Sequence, residues 1–180
     1  MTDTVLLVID AQQSFYHRGY LDTPETPAFE QALSALVAGC QQRGIPVIDV
    51  LHEDDDEAFR PESGLVTRLP FLSHQPVATF RKRVHNALTE SGLKEWLEQQ
   101  QVKQVIISGL RSEQCCETTA RVASDFGYQV TYVTEATLTF PITHNGITLS
   151  VADLRHRTES VLINRFAEIR TVEQCLQELG

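Results

Sequence analysis

The first strong feature of the amino-acid sequence is an uninterrupted run of apolar residues at positions 5–9, VLLVI. A strand with one face in water alternates apolar and polar residues, whereas a strand covered on both faces is apolar throughout. The run therefore predicts a central strand of a sheet that has helices on both faces. Further short runs of this kind, each a predicted strand, lie at 46–51, 77–80, 105–108, 129–133 and 161–164.

Helical patterns lie between these predicted strands. Residues 26–44 repeat apolar side chains at intervals of three and four. Thr26 is a candidate N-terminal cap, Pro27 suits the first helical position, and Gly44 suits the end of the helix. Ser112 is the candidate cap of a later helix. The other predicted helices are 90–101, 112–126 and 171–179, and the predicted loops are 52–75 and the threonine-rich segment after 133.

Strands that alternate with helices in this way form a parallel sheet with right-handed crossovers. We therefore expect an α/β fold with three layers, Rossmann-like, in which a six-stranded, mainly parallel sheet carries helices on both faces. The length of 180 residues is typical of one domain, so residues 1–180 are expected to form a single domain.

Charge and cysteine content narrow the classes of function. The formal net charge of −9 would repel nucleic-acid phosphates and anionic lipid, so neither nucleic acid nor membrane is an expected partner. The sequence has no leader pattern and no apolar run long enough to span a membrane, which predicts a cytoplasmic protein. The four cysteines follow neither a disulfide framework nor a CxxC zinc spacing, so reduced thiols are expected.

Three chemically useful residues follow predicted strands, at the sheet edge where such folds bind ligands. They are Asp10, Lys82 and Cys115. The start of a helix and a nearby lysine would both favour the thiolate of Cys115, and Asp10 could carry its proton. Each residue alone also has an ordinary structural explanation: a turn former, a solvated charge and a small core residue. Their conjunction at one edge favours a hydrolytic nucleophile with its proton carrier.

Three segments carry further motifs. Segment 6–15, LLVIDAQQSF, is an apolar strand followed by Asp-x-Gln-x-x-Phe. Segment 82–88, KRVHNAL, begins with the lysine, and segment 105–116, VIISGLRSEQCC, is a strand followed by a glycine and a later cysteine. Together they resemble the isochorismatase-like cysteine hydrolases, which include nicotinamidases and N-carbamoyl amide hydrolases. The resemblance runs from residue 4 to about 136, and 162–176 resembles the family's closing strand and helix.

The resemblance implies the isochorismatase-like hydrolase fold and a catalytic triad of Asp10, Lys82 and Cys115. Cys115 matches the family's nucleophile because it lies six residues past Gly109, and Cys116 is expected to be a packed neighbour, with a redox role left open. Isochorismatase itself lacks this cysteine. A cysteine here therefore points to a small amide or carbamoyl C–N bond as the substrate.

The resemblance also implies a cis peptide bond between Leu110 and Arg111. In the family such a bond helps to aim the backbone N–H of Arg111, with that of Cys115, at the developing oxyanion. Phe15, Leu110 and Arg111 are expected to shape the substrate pocket, with core packing as the alternative for Phe15.

No cofactor and no metal are expected. Nicotinamidases bind a metal through Asp-x-His and a further histidine, whereas Asp49, His52 and the acidic run 53–57 have another spacing. A homo-oligomer, dimer or tetramer, is expected because similar proteins assemble in this way. Two other functions stay open: a thiol redox protein that uses Cys115 and Cys116, and a non-catalytic binding member of the fold.

Overall fold

The computed structural model describes residues 3–180 and contains eight strands among them. The strands are β1 (Thr4–Ile9), β2 (Val47–His52), β3 (Ala78–Lys82), β4 (Gln104–Leu110), β5 (Gln129–Leu138), β6 (Ile142–His144), β7 (Ile147–Leu149) and β8 (Glu168–Ile169). Six of them form one parallel sheet in the order β3-β2-β1-β4-β5-β8, and β6 pairs with β7 in an antiparallel hairpin. The predicted α/β class with a six-stranded parallel sheet is confirmed.

Helices cover both faces of this sheet. They are α1 (Ser14–His17), α2 (Thr26–Gln42), α3 (Leu93–Gln99), α4 (Glu117–Asp125), α5 (Val151–Leu162) and α6 (Val172–Glu178). The central strand β1 is buried along its whole length. Its residues Leu6 and Val8 join the apolar cluster of α2 and α6, whereas Leu7 and Ile9 join the cluster of α3 and α4. An all-apolar strand is thus explained by two cores, one on each face.

The segment after β5 differs from the prediction. The predicted strand 161–164 is wrong, because residues up to Leu162 belong to α5 and the last sheet strand is Glu168–Ile169. The threonine-rich segment predicted as a loop contains the β6–β7 hairpin and the start of α5. A short apolar run is equally compatible with a strand and with the buried face of a helix. Leu162 packs in the core as part of that helix face.

Two predicted helix caps are also wrong. Thr26 is itself helical, and its hydroxyl donates to the carbonyl oxygen of Leu21 at 2.7 Å. Ser112 starts a π-helical turn, Ser112–Cys116, that precedes α4, and its hydroxyl bonds with that of Thr137 at 2.6 Å. The Thr26 hydroxyl is thus bound by the turn that precedes the helix, and the Ser112 hydroxyl by a residue of β5.

Within residues 3–180, none of the helices combines the length and the apolar character that crossing a lipid bilayer requires.

Candidate active site

The carboxyl edge of the sheet brings Asp10, Lys82 and Cys115 together. Asp10 follows β1, Lys82 ends β3, and Cys115 lies in the π-helical turn after β4. The Lys82 side chain extends past the end of β2, which lies between β3 and β1. Its Nζ donates to Asp10 Oδ2 at 2.9 Å and to Cys115 Sγ at 3.5 Å. One ammonium therefore contacts both the carboxylate and the sulfur.

Burial strengthens the charge interactions within this cluster. The side chains of Lys82 and Asp10 are 0% and 2% exposed. Burial opposes the charge of Lys82, but the nearby Asp10 and Cys115 outweigh it and raise the pKa of the Lys82 amine. Lys82 therefore stays protonated at neutral pH, because a buried cation with hydrogen-bonded acceptors keeps its charge.

The surroundings of Cys115 favour the protonated thiol, whereas the sequence indicated that the helix start and Lys82 would lower its pKa. Burial and the Asp10 carboxylate raise the pKa of Cys115 to about 12, and Lys82 offsets only part of this rise. Asp10 Oδ1 is buried and has no hydrogen-bond partner among the described residues. The Asp10 carboxylate can therefore accept the proton that the Cys115 thiol must lose before it acts as a nucleophile.

His52 is a member of this cluster that the sequence analysis missed. It pairs with Lys82 in the β2–β3 register, and its Nδ1 lies 3.0 Å from Lys82 Nζ. Burial and the lysine charge lower the pKa of His52, so the ring is neutral and accepts a hydrogen bond from the ammonium. Gln12 fixes its backbone, since Oε1 accepts from the His52 N–H at 2.7 Å and Nε2 donates to the His52 carbonyl at 2.9 Å.

His85 is the second residue that was missed. It lies in the exposed loop after β3, and its Nδ1 is 3.6 Å from Cys115 Sγ. The sulfur therefore has the buried Lys82 as one neighbour and an exposed imidazole as another. His52 ends β2, so it could have been identified from the sequence in the same way as Asp10 and Lys82, as a residue at the end of a strand. The position of His85 could not, because it depends on the path of the loop after β3.

A cavity of about 200 Å³ opens over the sulfur. It is lined by Asp10, Phe15, Tyr20, His52, Asp54, Phe59, His85, Arg111, Gln114 and Cys115. Phe15 and Arg111 were predicted to shape this pocket and do border it. Leu110 was also predicted there, but its side chain is fully buried in the apolar cluster around α2. The small volume and aromatic wall suit a small molecule.

Arg111 forms part of the cavity wall through several contacts. Its guanidinium lies 4.9 Å from the centre of the Phe140 ring, and its Nη2 donates to the Phe140 carbonyl at 3.2 Å. Nη2 also lies 3.2 Å from a carboxylate oxygen of Glu113. The peptide bond between Leu110 and Arg111 is cis. The two contacts with Phe140 hold the start of the turn that carries Cys115 against the segment after β5.

The residues considered for metal binding have other partners. Asp49 accepts from Arg68 at 3.0 Å and contacts His74 at 2.8 Å, while His52 contacts Lys82. Of the acidic run, Asp55 is paired with Arg83. Within residues 3–180 no group of three or more His, Cys, Asp or Glu side chains is arranged to hold a metal ion.

Cys116 is fully buried, and its hydrogen-bond contact is with the backbone of β4. Its Sγ–H contacts the Ser108 carbonyl at 3.7 Å, and burial raises its pKa well above the usual value. All four cysteines of the chain are free.

Comparisons with known proteins show which family this chain resembles in sequence and fold. The model of the isochorismatase domain family matches residues 4–174. The isochorismatase family protein YrdC of Bacillus subtilis is 23% identical over 177 residues, with 96% of this chain and 94% of that protein covered. Nicotinamidase 3 of Arabidopsis thaliana is 42% identical over 86 residues, which cover 48% of this chain and 40% of that protein. A cysteine hydrolase from Pseudomonas syringae superposes with a TM-score of 0.91 at 20% identity, over 99% of this chain and 94% of the other.

Proposed function

The chain belongs to the isochorismatase family of hydrolases, and we propose that it cleaves the C–N bond of a small amide or carbamoyl compound through a thioester on Cys115. The observation that carries the proposal is the position of Lys82 Nζ, 2.9 Å from Asp10 and 3.5 Å from the Cys115 sulfur at the base of a small cavity. The similarity to a nicotinamidase supports an amide as the substrate class.

In the first half-reaction Asp10 acts as base and then as acid. Its unpaired Oδ1 takes the thiol proton as the sulfur bonds to the carbonyl carbon, and the carbonyl electron pair moves to oxygen. When the C–N bond breaks, the protonated Asp10 returns that proton to the leaving nitrogen. Ammonia or an amine departs, and the acyl group stays on Cys115 as a thioester.

Charge stabilisation in this step is assigned to two groups. Lys82 remains an ammonium, and it stabilises the negative charge of the Cys115 sulfur while the thiol proton is on Asp10. The backbone N–H groups of Arg111 and Cys115 are proposed to donate to the oxyanion, because both residues line the cavity. Water then cleaves the thioester and regenerates the thiol.

The test is a screen of small amides, carbamoyl amino acids and nicotinamide for release of ammonia. We expect Cys115→Ala to abolish release and to remove labelling by iodoacetamide, because the nucleophile is gone. Cys116→Ala is the matched control and should retain activity, since the hydrogen-bond contact of its sulfur within residues 3–180 is with the Ser108 carbonyl.

The same variants separate the two other functions. Ammonia release that persists in Cys115→Ala would refute the assignment. A redox protein would instead lose peroxide-dependent chemistry in both cysteine variants, and a binding protein would form no acyl adduct at all.

A further inference from the structure

The exposed histidine beside the nucleophile has no role in the half-reaction described above. His85 Nδ1 lies 3.6 Å from Cys115 Sγ, within hydrogen-bond range for sulfur, and His85 borders the cavity. We propose that His85 is a further catalytic residue: it is the base that activates water for hydrolysis of the Cys115 thioester. This inference rests on the proposed function and deepens it.

The accessibility of the acceptors around the sulfur favours His85 for this step. The attacking water enters from solvent through the cavity, after the amine has left. Asp10 is 2% exposed and ion-paired with Lys82, and His52 Nδ1 is bonded to the same ammonium. Among the described residues that contact the sulfur or Lys82, only His85 is exposed. His85 therefore contacts both the solvent and the Cys115 sulfur.

The imidazole of His85 can both accept the proton of the attacking water and deliver it to the leaving sulfur. In the tautomer with its proton on Nε2, His85 Nδ1 takes a proton from water as the water oxygen bonds to the thioester carbon. The carbonyl electron pair moves to oxygen and returns as the C–S bond breaks. Nδ1 then passes its proton to the departing sulfur, 3.6 Å away in the resting structure. The products are an acid and the neutral thiol, with His85 again neutral.

The experiment separates formation of the thioester from its breakdown. p-Nitrophenyl acetate is used as the probe: the initial release of p-nitrophenolate reports acetylation of Cys115. After excess reagent is removed, intact-protein mass spectrometry follows the loss of the acetyl group. The test variant is His85→Asn, whose side-chain amide occupies the place of Nδ1 but cannot act as a base. The matched control is His144→Asn, a substitution of an exposed histidine on β6.

We expect His85→Asn to acetylate at the wild-type rate but to lose the acetyl group about 100-fold more slowly, a typical contribution of general-base catalysis. Added imidazole should accelerate this loss in His85→Ala. His144→Asn should match the wild type in both steps. Retention of the initial release also confirms that the variant is folded.

Two results would overturn the role of His85 while leaving the proposed function intact. One is equal lifetimes of the acetyl adduct in His85→Asn and wild type. The other is a slower initial release with an unchanged lifetime, because His85 would then act before the thioester. Absence of any Cys115-dependent adduct in the wild type would remove the proposed function, and this inference with it.

Discussion

At the scale of single residues, Cys115 is a thiol placed between opposite electrostatic influences. Burial and the Asp10 carboxylate raise its pKa, and Lys82 lowers it, with a result of about 12. Such a thiol is nearly all protonated at neutral pH. Its reactivity therefore depends on transfer of the proton to Asp10 during attack and not on a standing thiolate.

These opposing influences predict that the pKa of Cys115 shifts in opposite directions in two variants. Asp10→Asn removes a cause that raises the pKa of Cys115, so its alkylation by iodoacetamide should reach half its maximal rate at a lower pH than in the wild type. Lys82→Met removes a cause that lowers the pKa, so the same profile should move to higher pH. Both variants should lose amide hydrolysis by at least about 100-fold, because proton transfer or charge stabilisation is lost.

Alkylation rates measured from neutral to strongly alkaline pH check this prediction. Asp54→Asn is the control, since this cavity carboxylate interacts with His52 at 3.4 Å and should leave the Cys115 profile nearly unchanged. A profile that moves upward in Asp10→Asn would contradict the electrostatic explanation.

At the scale of elements, the site depends on how closely β4 lies against β1. Gly109 is paired with Ile9 in the parallel register, and it has a φ of +115°. A Cβ at this position would lie 1.8 Å from the Ile9 carbonyl oxygen. Glycine therefore lets β4 pass the end of β1, immediately before Asp10, and continue into the turn that carries Cys115.

Gly109→Ala is expected to destabilise the protein by about 3 kcal/mol or more, because the backbone of a central strand must move and the φ is unfavourable for alanine. Gly127→Ala is the matched control. Its φ of +88° is also positive, but a Cβ there has no neighbour within 4 Å, so the loss should be about 1 kcal/mol. Urea unfolding of both variants measures the difference, and equal losses would exclude the steric explanation.

Helix α5 was not predicted from the sequence because its apolar residues are few. Its sequence is largely polar, and it begins with a capping box in which Ser150 accepts from the Asp153 N–H and the Asp153 carboxylate accepts from the Ser150 N–H. It is tied to α4 through Glu117, a buried carboxylate that accepts from Arg157 and Thr158. The Ser-x-x-Asp spacing is a signal that sequence reading could have used.

At the scale of the whole molecule, the site makes stability depend on pH. Burial and Lys82 lower the pKa of His52 below its ordinary value of 6.5. The unfolded chain therefore binds a proton at His52 at a higher pH than the folded chain does. Protonation therefore favours unfolding. The contribution of His52 to folding stability is complete above pH 6.5, and it is lost progressively as the pH falls from that value to the lower pKa of the folded state.

His52→Asn should remove this part of the pH dependence, because asparagine does not titrate. The free energy of unfolding, measured with urea from pH 8 down to pH 5, should fall less steeply in this variant than in the wild type. His144→Asn, on the exposed hairpin, should leave the slope unchanged. Identical slopes in wild type and His52→Asn would show that the imidazole is not disfavoured as a cation.

The sequence by itself determined the central sheet and the meeting of Asp10, Lys82 and Cys115. An all-apolar strand requires cover on both faces, and parallel strands bring their carboxyl ends to one edge, so both conclusions follow from order along the chain. Only the tertiary structure decided the protonation of Cys115 and the contacts of His52, His85 and Leu110. Burial and charge act through distance in space, and the distances between segments far apart in the chain exist only in the folded molecule.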